Sequence, residues 1–62
     1  MMPIHIKKLN RTVDVVNWRM EFPPTGSEFF QTDDFPASLA VLSEGKWIGL
    51  ISKRLVAESD WQ

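Results

Sequence analysis

Ser38-Leu39-Ala40-Val41-Leu42-Ser43-Glu44-Gly45-Lys46-Trp47-Ile48-Gly49-Leu50-Ile51-Ser52 is the stretch whose reading decides the fold. Two apolar runs, residues 38–42 and 47–52, flank the polar tetrad Ser43-Glu44-Gly45-Lys46, and two such runs joined by a short polar turn read as a β-hairpin. Gly45 supplies the freedom to take positive φ that a tight turn demands. Side chains alternate between the faces of a strand. Leu39 and Val41 therefore oppose Ala40 and Leu42, and Trp47 and Ile51 oppose Ile48 and Leu50. Both faces of this hairpin are apolar, whereas a sheet wet on one side alternates apolar with polar residues.

Outward from the hairpin the pattern changes. Ser52 and Lys53 lead into Arg54-Leu55-Val56-Ala57-Glu58, which reads as the start of a helix. Upstream, Pro23-Pro24-Thr25-Gly26 is a breaker. Residues 28–33 after it fit about two helical turns, capped by Thr25 or Ser27 and stopped by Asp33-Asp34 and Pro36. Residues 12–20 are open to either state. Val13, Val15 and Val16 favour a strand by propensity, while Val13, Val16 and Met20 fit helical spacing, and the balance leans to a short helix. Residues 3–9 read as a short strand with Ile4 and Ile6 on one face. The expected architecture is a single α+β domain over residues 1–62: a small antiparallel hairpin or three-stranded sheet with short helices on one face.

Size makes the uncovered face consequential. A chain of 62 residues removes only about 60% of its unfolded surface from water. There are 0 Cys and a single His, His5, so neither a disulfide nor a structural zinc site compensates. Short helices cover one face of the hairpin and little chain is left for the other, and an exposed apolar patch marks an interface. Trp47, Ile48, Leu50 and Ile51 are the candidate interface residues, and a homodimer or a companion domain is the expected partner.

Charge narrows the partner classes. Seven basic residues against eight acidic ones give a net charge of −1, without the basic excess of a dedicated nucleic-acid binder. No apolar run approaches the ~20 residues that span a bilayer, and the start of the chain lacks the apolar core of a secretory signal. A cytosolic protein with no membrane partner is expected, and the glycosylation pattern Asn10-Arg11-Thr12 is then a chance match.

The order helix, strand, Gly-containing turn, strand, and the ending Gly49-Leu50-Ile51-Ser52 before Lys53 and Arg54, cover a little over half the chain. Residues 23–58 thereby resemble a CBS motif, the repeat named after cystathionine β-synthase. The resemblance implies a β-α-β-β-α unit that pairs with another copy, holds adenosine-type ligands between motifs and reports them to an attached domain. The family's Ser or Thr matches Ser52. Its ribose-binding Asp falls at Leu55, which cannot accept a hydrogen bond.

Ser52, Lys53 and Arg54 stand where a strand hands over to a helix, so free backbone N–H groups, a hydroxyl and a guanidinium converge there. Anion binding competes with a plain Ser cap followed by solvated cations. Gly49 within a strand lets either a ligand or a neighbouring group come close. Gly49, Ser52 and Arg54 are the candidate ligand-binding residues. Trp18 and Trp47 read as core, and Trp61 either frays or docks on a partner. His5 reads as a strand histidine and no metal ligand. Asp33 and Asp34 read as solvated acids, and Lys7, Lys8 and Arg11 as a solvated basic face. No nucleophile stands beside a base, so no catalysis and no cofactor is expected. The leading expectation is a non-catalytic regulatory module that pairs with another copy and senses a small anionic or adenosine-type ligand. The alternative is a ligand-free interaction module that docks through an apolar sheet face or an open strand edge.

Overall fold

In the computed structural model, which describes residues 2–61, the hairpin forms as expected and occupies the centre. Its strands are β5 (Ser38–Ser43) and β6 (Lys46–Ser52), preceded by β1 (Met2–Ile6), β2 (Arg11–Val15), β3 (Asn17–Met20) and β4 (Glu28–Gln31). Two single 3₁₀ turns, Lys53–Leu55 and Glu58–Asp60, follow. Ser43 pairs with Lys46, leaving Glu44 and Gly45 as the loop, with φ of 50° and 75°. Positive φ at both central residues matches the twist of the flanking strands.

The chain is all-β where an α+β domain was expected, and each misread segment has a physical reason. Residues 12–20 run as β2 and β3, separated only by Val16. Val13 and Val15 are buried and Thr12 and Asp14 exposed, a period of two that β-branched residues fit better than helical spacing. The segment from Glu28 is strand β4, because its adjacent phenylalanines enter opposite cores: Phe30 joins one cluster and Phe29 the other. Only an extended backbone separates neighbouring side chains in this way. After Ser52 the helix stops at one 3₁₀ turn. The element order implied by the CBS resemblance, with a helix on each side of the hairpin, is absent among the described residues.

The main sheet has the order β3-β6-β5-β4, with β3 parallel to β6 and the other pairs antiparallel. The β1–β2 hairpin lies over one face. An Ile6–Thr32 bridge and a bond from the Lys7 N–H to the Gln31 carbonyl (3.1 Å) tie the end of β1 to the end of β4. On the other side β2 passes through Val16 into β3, so the two sheets meet along both sides. Ile4, Ile6, Val13 and Val15 pack there on Phe30, Ala40 and Leu50. Trp47 meets Phe30 edge-to-face, with centroids 5.2 Å apart, and Met2, Phe35 and Leu42 complete the layer.

A β-bulge corrects the expected faces of β6. Val41 opposes Gly49 and Leu42 opposes Trp47, so Ile48 is an extra residue with no partner. One inserted residue inverts the alternation beyond it. Trp47 consequently packs on the cluster of Leu50, and Ile48 on that of Ile51, the reverse of strict alternation. In β5, Leu39 and Val41 do oppose Ala40 and Leu42 as read from the sequence.

The second face is covered as well, by the chain itself. Leu39, Val41 and Ile51 are buried beneath Met20, Phe29, Ile48, Val56 and Trp61. The stretch after Ser52 crosses this face as two single 3₁₀ turns, Lys53–Leu55 and Glu58–Asp60, joined through Val56 and Ala57. Trp61 docks there through a parallel bridge to Phe29, and the Lys53 ammonium lies 4.7 Å from its ring centroid. The expectation of an apolar face left for a partner is thereby overturned.

Candidate functional site

The exposed apolar surface gathers along β3. This strand ends the main sheet: one edge pairs with β6, and the other has no strand partner among the described residues. Its outer side chains are large. Trp18 is 65% exposed, Val16 before the strand 60% and Phe22 after it 89%. Sequence reasoning placed Trp18 in the core. Its neighbours Asn17 and Arg19 are polar, and in a strand at the sheet margin nothing lies beyond it to bury an indole.

A cleft of about 480 Å³ opens between the end of β3 and the first 3₁₀ turn, lined by Trp18, Arg19, Ser38, Ser52, Arg54 and Leu55 among others. Several bonds set its wall. The Lys53 N–H donates to the Ala37 carbonyl (3.0 Å) and the Val56 N–H to the Lys53 carbonyl (3.2 Å), which anchors the turn to the start of β5. Ser52 Oγ accepts from the Arg54 N–H (3.3 Å), so the Ser cap forms. Leu55 projects outward, 56% exposed. Arg19, Glu21 and Arg54, all exposed, make no ion pair or side-chain hydrogen bond within the described residues.

Of the ligand residues expected from sequence, Ser52 and Arg54 share this cleft and Gly49 does not line it. A Cβ at Gly49 would stand 2.8 Å from the Asn17 carbonyl oxygen and 2.7 Å from Met20 Sδ. The missing side chain admits β3, not a ligand. Of the expected interface residues, Leu50 and Ile51 are buried within the subunit, and Trp47 and Ile48 are half-buried against opposite clusters. Arg19, Glu21 and Phe22 were missed. The available signal was an aromatic residue set directly before the Pro23-Pro24 breaker, in a chain with no helix to absorb it.

No family model, no curated protein and no solved structure matches the chain. The reading of its function therefore rests on its own residues.

Elsewhere, His5 Nδ1 lies 2.5 Å from Asp33 Oδ2, while the His5 N–H donates to Asp34 Oδ2 (2.9 Å) and the Asp33 N–H to the His5 carbonyl (3.2 Å). The buried Thr32 hydroxyl accepts from the Phe35 N–H (2.9 Å). These bonds clasp β1 to the β4–β5 connection. Among the described residues no cluster of His, Cys, Asp and Glu is suited to a metal ion, and no helix is long and apolar enough to cross a membrane.

Proposed function

We propose that this protein is a non-catalytic, cytosolic interaction module that docks an extended segment of another protein on the open edge of β3. The observation that carries this is an edge strand with no outer strand partner among the described residues, bearing an exposed Trp18 and followed two residues past its end by an exposed Phe22. Soluble folds blunt their edges with Lys, Pro or charge, and Trp is the residue type most often found as an interface anchor. Strand addition supplies main-chain hydrogen bonds, and flanking side chains supply selectivity. Arg19 selects an acidic residue opposite it and Trp18 an apolar one. The test is a nuclear-magnetic-resonance titration with an acetylated peptide alternating Glu with Phe, against a matched peptide alternating Lys with Phe. Saturable amide shifts over 17–20 with the first peptide only are expected. Shifts scattered over the surface, or none with either peptide, overturn the proposal.

One observation favours a second reading, a regulatory anion site: the unpaired Arg54 guanidinium lines the cleft with the Ser38 and Ser52 hydroxyls. A bound anion would then favour one association state over another by population shift. Inorganic phosphate and AMP are the probes. Saturable thermal stabilisation that Arg54→Ala abolishes supports the site, and an unchanged melting curve at millimolar probe removes it.

A further inference from the structure

We propose that the cleft between the end of β3 and the first 3₁₀ turn binds a free aromatic α-amino acid as its zwitterion. The inference rests on the anion-site reading and names the ligand of that site. Its basis is a juxtaposition of unlike charges. Arg19 on β3, Glu21 just past the end of β3 and Arg54 on the turn all line this cleft. No two of them form an ion pair, and none of the three side chains has another partner among the described residues. Guanidinium and carboxylate groups therefore stand apart around one cavity, each with its hydrogen-bonding capacity free. A lone anion held by Arg54 meets repulsion from Glu21. A molecule that carries both charges satisfies both.

The carboxylate end finds more than one donor. Ser38 and Ser52 are direct partners across β5 and β6, so their side chains leave the same face close together. Ser52 Oγ accepts from the Arg54 N–H (3.3 Å), which leaves its own proton to donate. With the Arg54 guanidinium, the two hydroxyls form a donor set for a carboxylate, and bonds between charged partners are the strong ones. Glu21 accepts from the ammonium. Two guanidiniums against one carboxylate leave the lining net positive, which disfavours an amine that has no carboxylate of its own.

Apolar surface selects the side chain. The buried Leu50 and the exposed Trp18 and Leu55 line the same cleft, and an aromatic ring pairs with an indole in offset or edge-to-face geometry. The volume of about 480 Å³ falls within the ~300–1,000 Å³ of small-molecule sites.

Three probes that differ only in charge test the inference on the full chain: L-phenylalanine, N-acetyl-L-phenylalanine, which lacks the ammonium, and phenethylamine, which lacks the carboxylate. Nuclear-magnetic-resonance titration is expected to show saturable shifts of amides 19–21 and 52–55 with L-phenylalanine at millimolar concentration. Each single-charge analogue binds about three- to tenfold more weakly. Glu21→Gln weakens L-phenylalanine and strengthens N-acetyl-L-phenylalanine, a change of opposite sign that mere loss of folding does not produce. No saturation by L-phenylalanine, equal binding of either analogue to the wild-type chain, or equal weakening of both acids by Glu21→Gln overturns the proposal. If inorganic phosphate still stabilises the chain in an Arg54-dependent way in that event, the anion site stands without an amino-acid ligand; if it does not, both fall.

Discussion

Gly49→Ala probes the contact that seats β3, on which the whole edge depends. The added Cβ would lie 2.7 Å from Met20 Sδ, 2.8 Å from Met20 Cγ and 2.8 Å from the Asn17 carbonyl oxygen. Two of these atoms belong to a flexible side chain that can swing outward. The third is backbone, and Asn17 faces Gly49 directly in the parallel register, so relief requires β3 to move away from β6. Overpacking of this kind costs about 1–3 kcal/mol. The φ of Gly49 is not positive, so alanine gains about 0.5–1 kcal/mol by restricting the unfolded chain. With one contact to backbone the cost takes the upper part of that range, about 2–3 kcal/mol, and with a gain of about 1 kcal/mol the net loss is about 1–2 kcal/mol, from a total of roughly 3–9 kcal/mol for a chain of 62 residues. Urea denaturation followed by tryptophan fluorescence measures it, and the melting temperature falls by about 5–15 °C. Met20→Ala provides the control. It removes the side-chain clash and leaves the carbonyl, so placing Gly49→Ala on that background still destabilises. A variant within about 0.3 kcal/mol of wild type, or complete relief by Met20→Ala, refutes the backbone argument.

Besides the peptide and phosphate experiments, two stability changes follow from the fold. Glu44 holds φ at 50° in a two-residue hairpin loop, where Asn is better accommodated, so Glu44→Asn should stabilise by roughly 0.5–1 kcal/mol in the same denaturation assay. Trp61→Ala uncovers Leu39, Val41 and Ile51. Because Trp61 is half-buried, the expected loss is about 2–3 kcal/mol, below the ~3–5 kcal/mol of a fully buried tryptophan. Binding of a fluorescent apolar dye should rise with it, and unchanged dye binding would show that the C-terminal segment does not cover this face.

The clasp of His5 with Asp33 and Asp34 fixes where β1 meets the β4–β5 connection.

The hairpin of β5 and β6, its Glu44-Gly45 turn, the strand character of β1 and the alternation of β5 were all legible in the sequence, because turn chemistry and period-two patterning are local properties. Ser52 as a cap was legible for the same reason. The bulge at Ile48 was not, since an extra residue is defined only against its partner strand, and it carried Trp47 to the opposite face. Nor could local spacing settle residues 12–20 or the segment from Glu28. Both fit a helix in isolation, and packing of Val13, Val15, Phe29 and Phe30 into two separate cores selected strands. The sequence alone determined that the hairpin is apolar on both faces. Only the tertiary structure decided that the chain covers both, with β1–β2 on one side and the 3₁₀ turns and Trp61 of the C-terminal segment on the other, and that the surface left over is an edge. Coverage depends on how far each segment reaches in its final conformation, and residue type does not encode that distance.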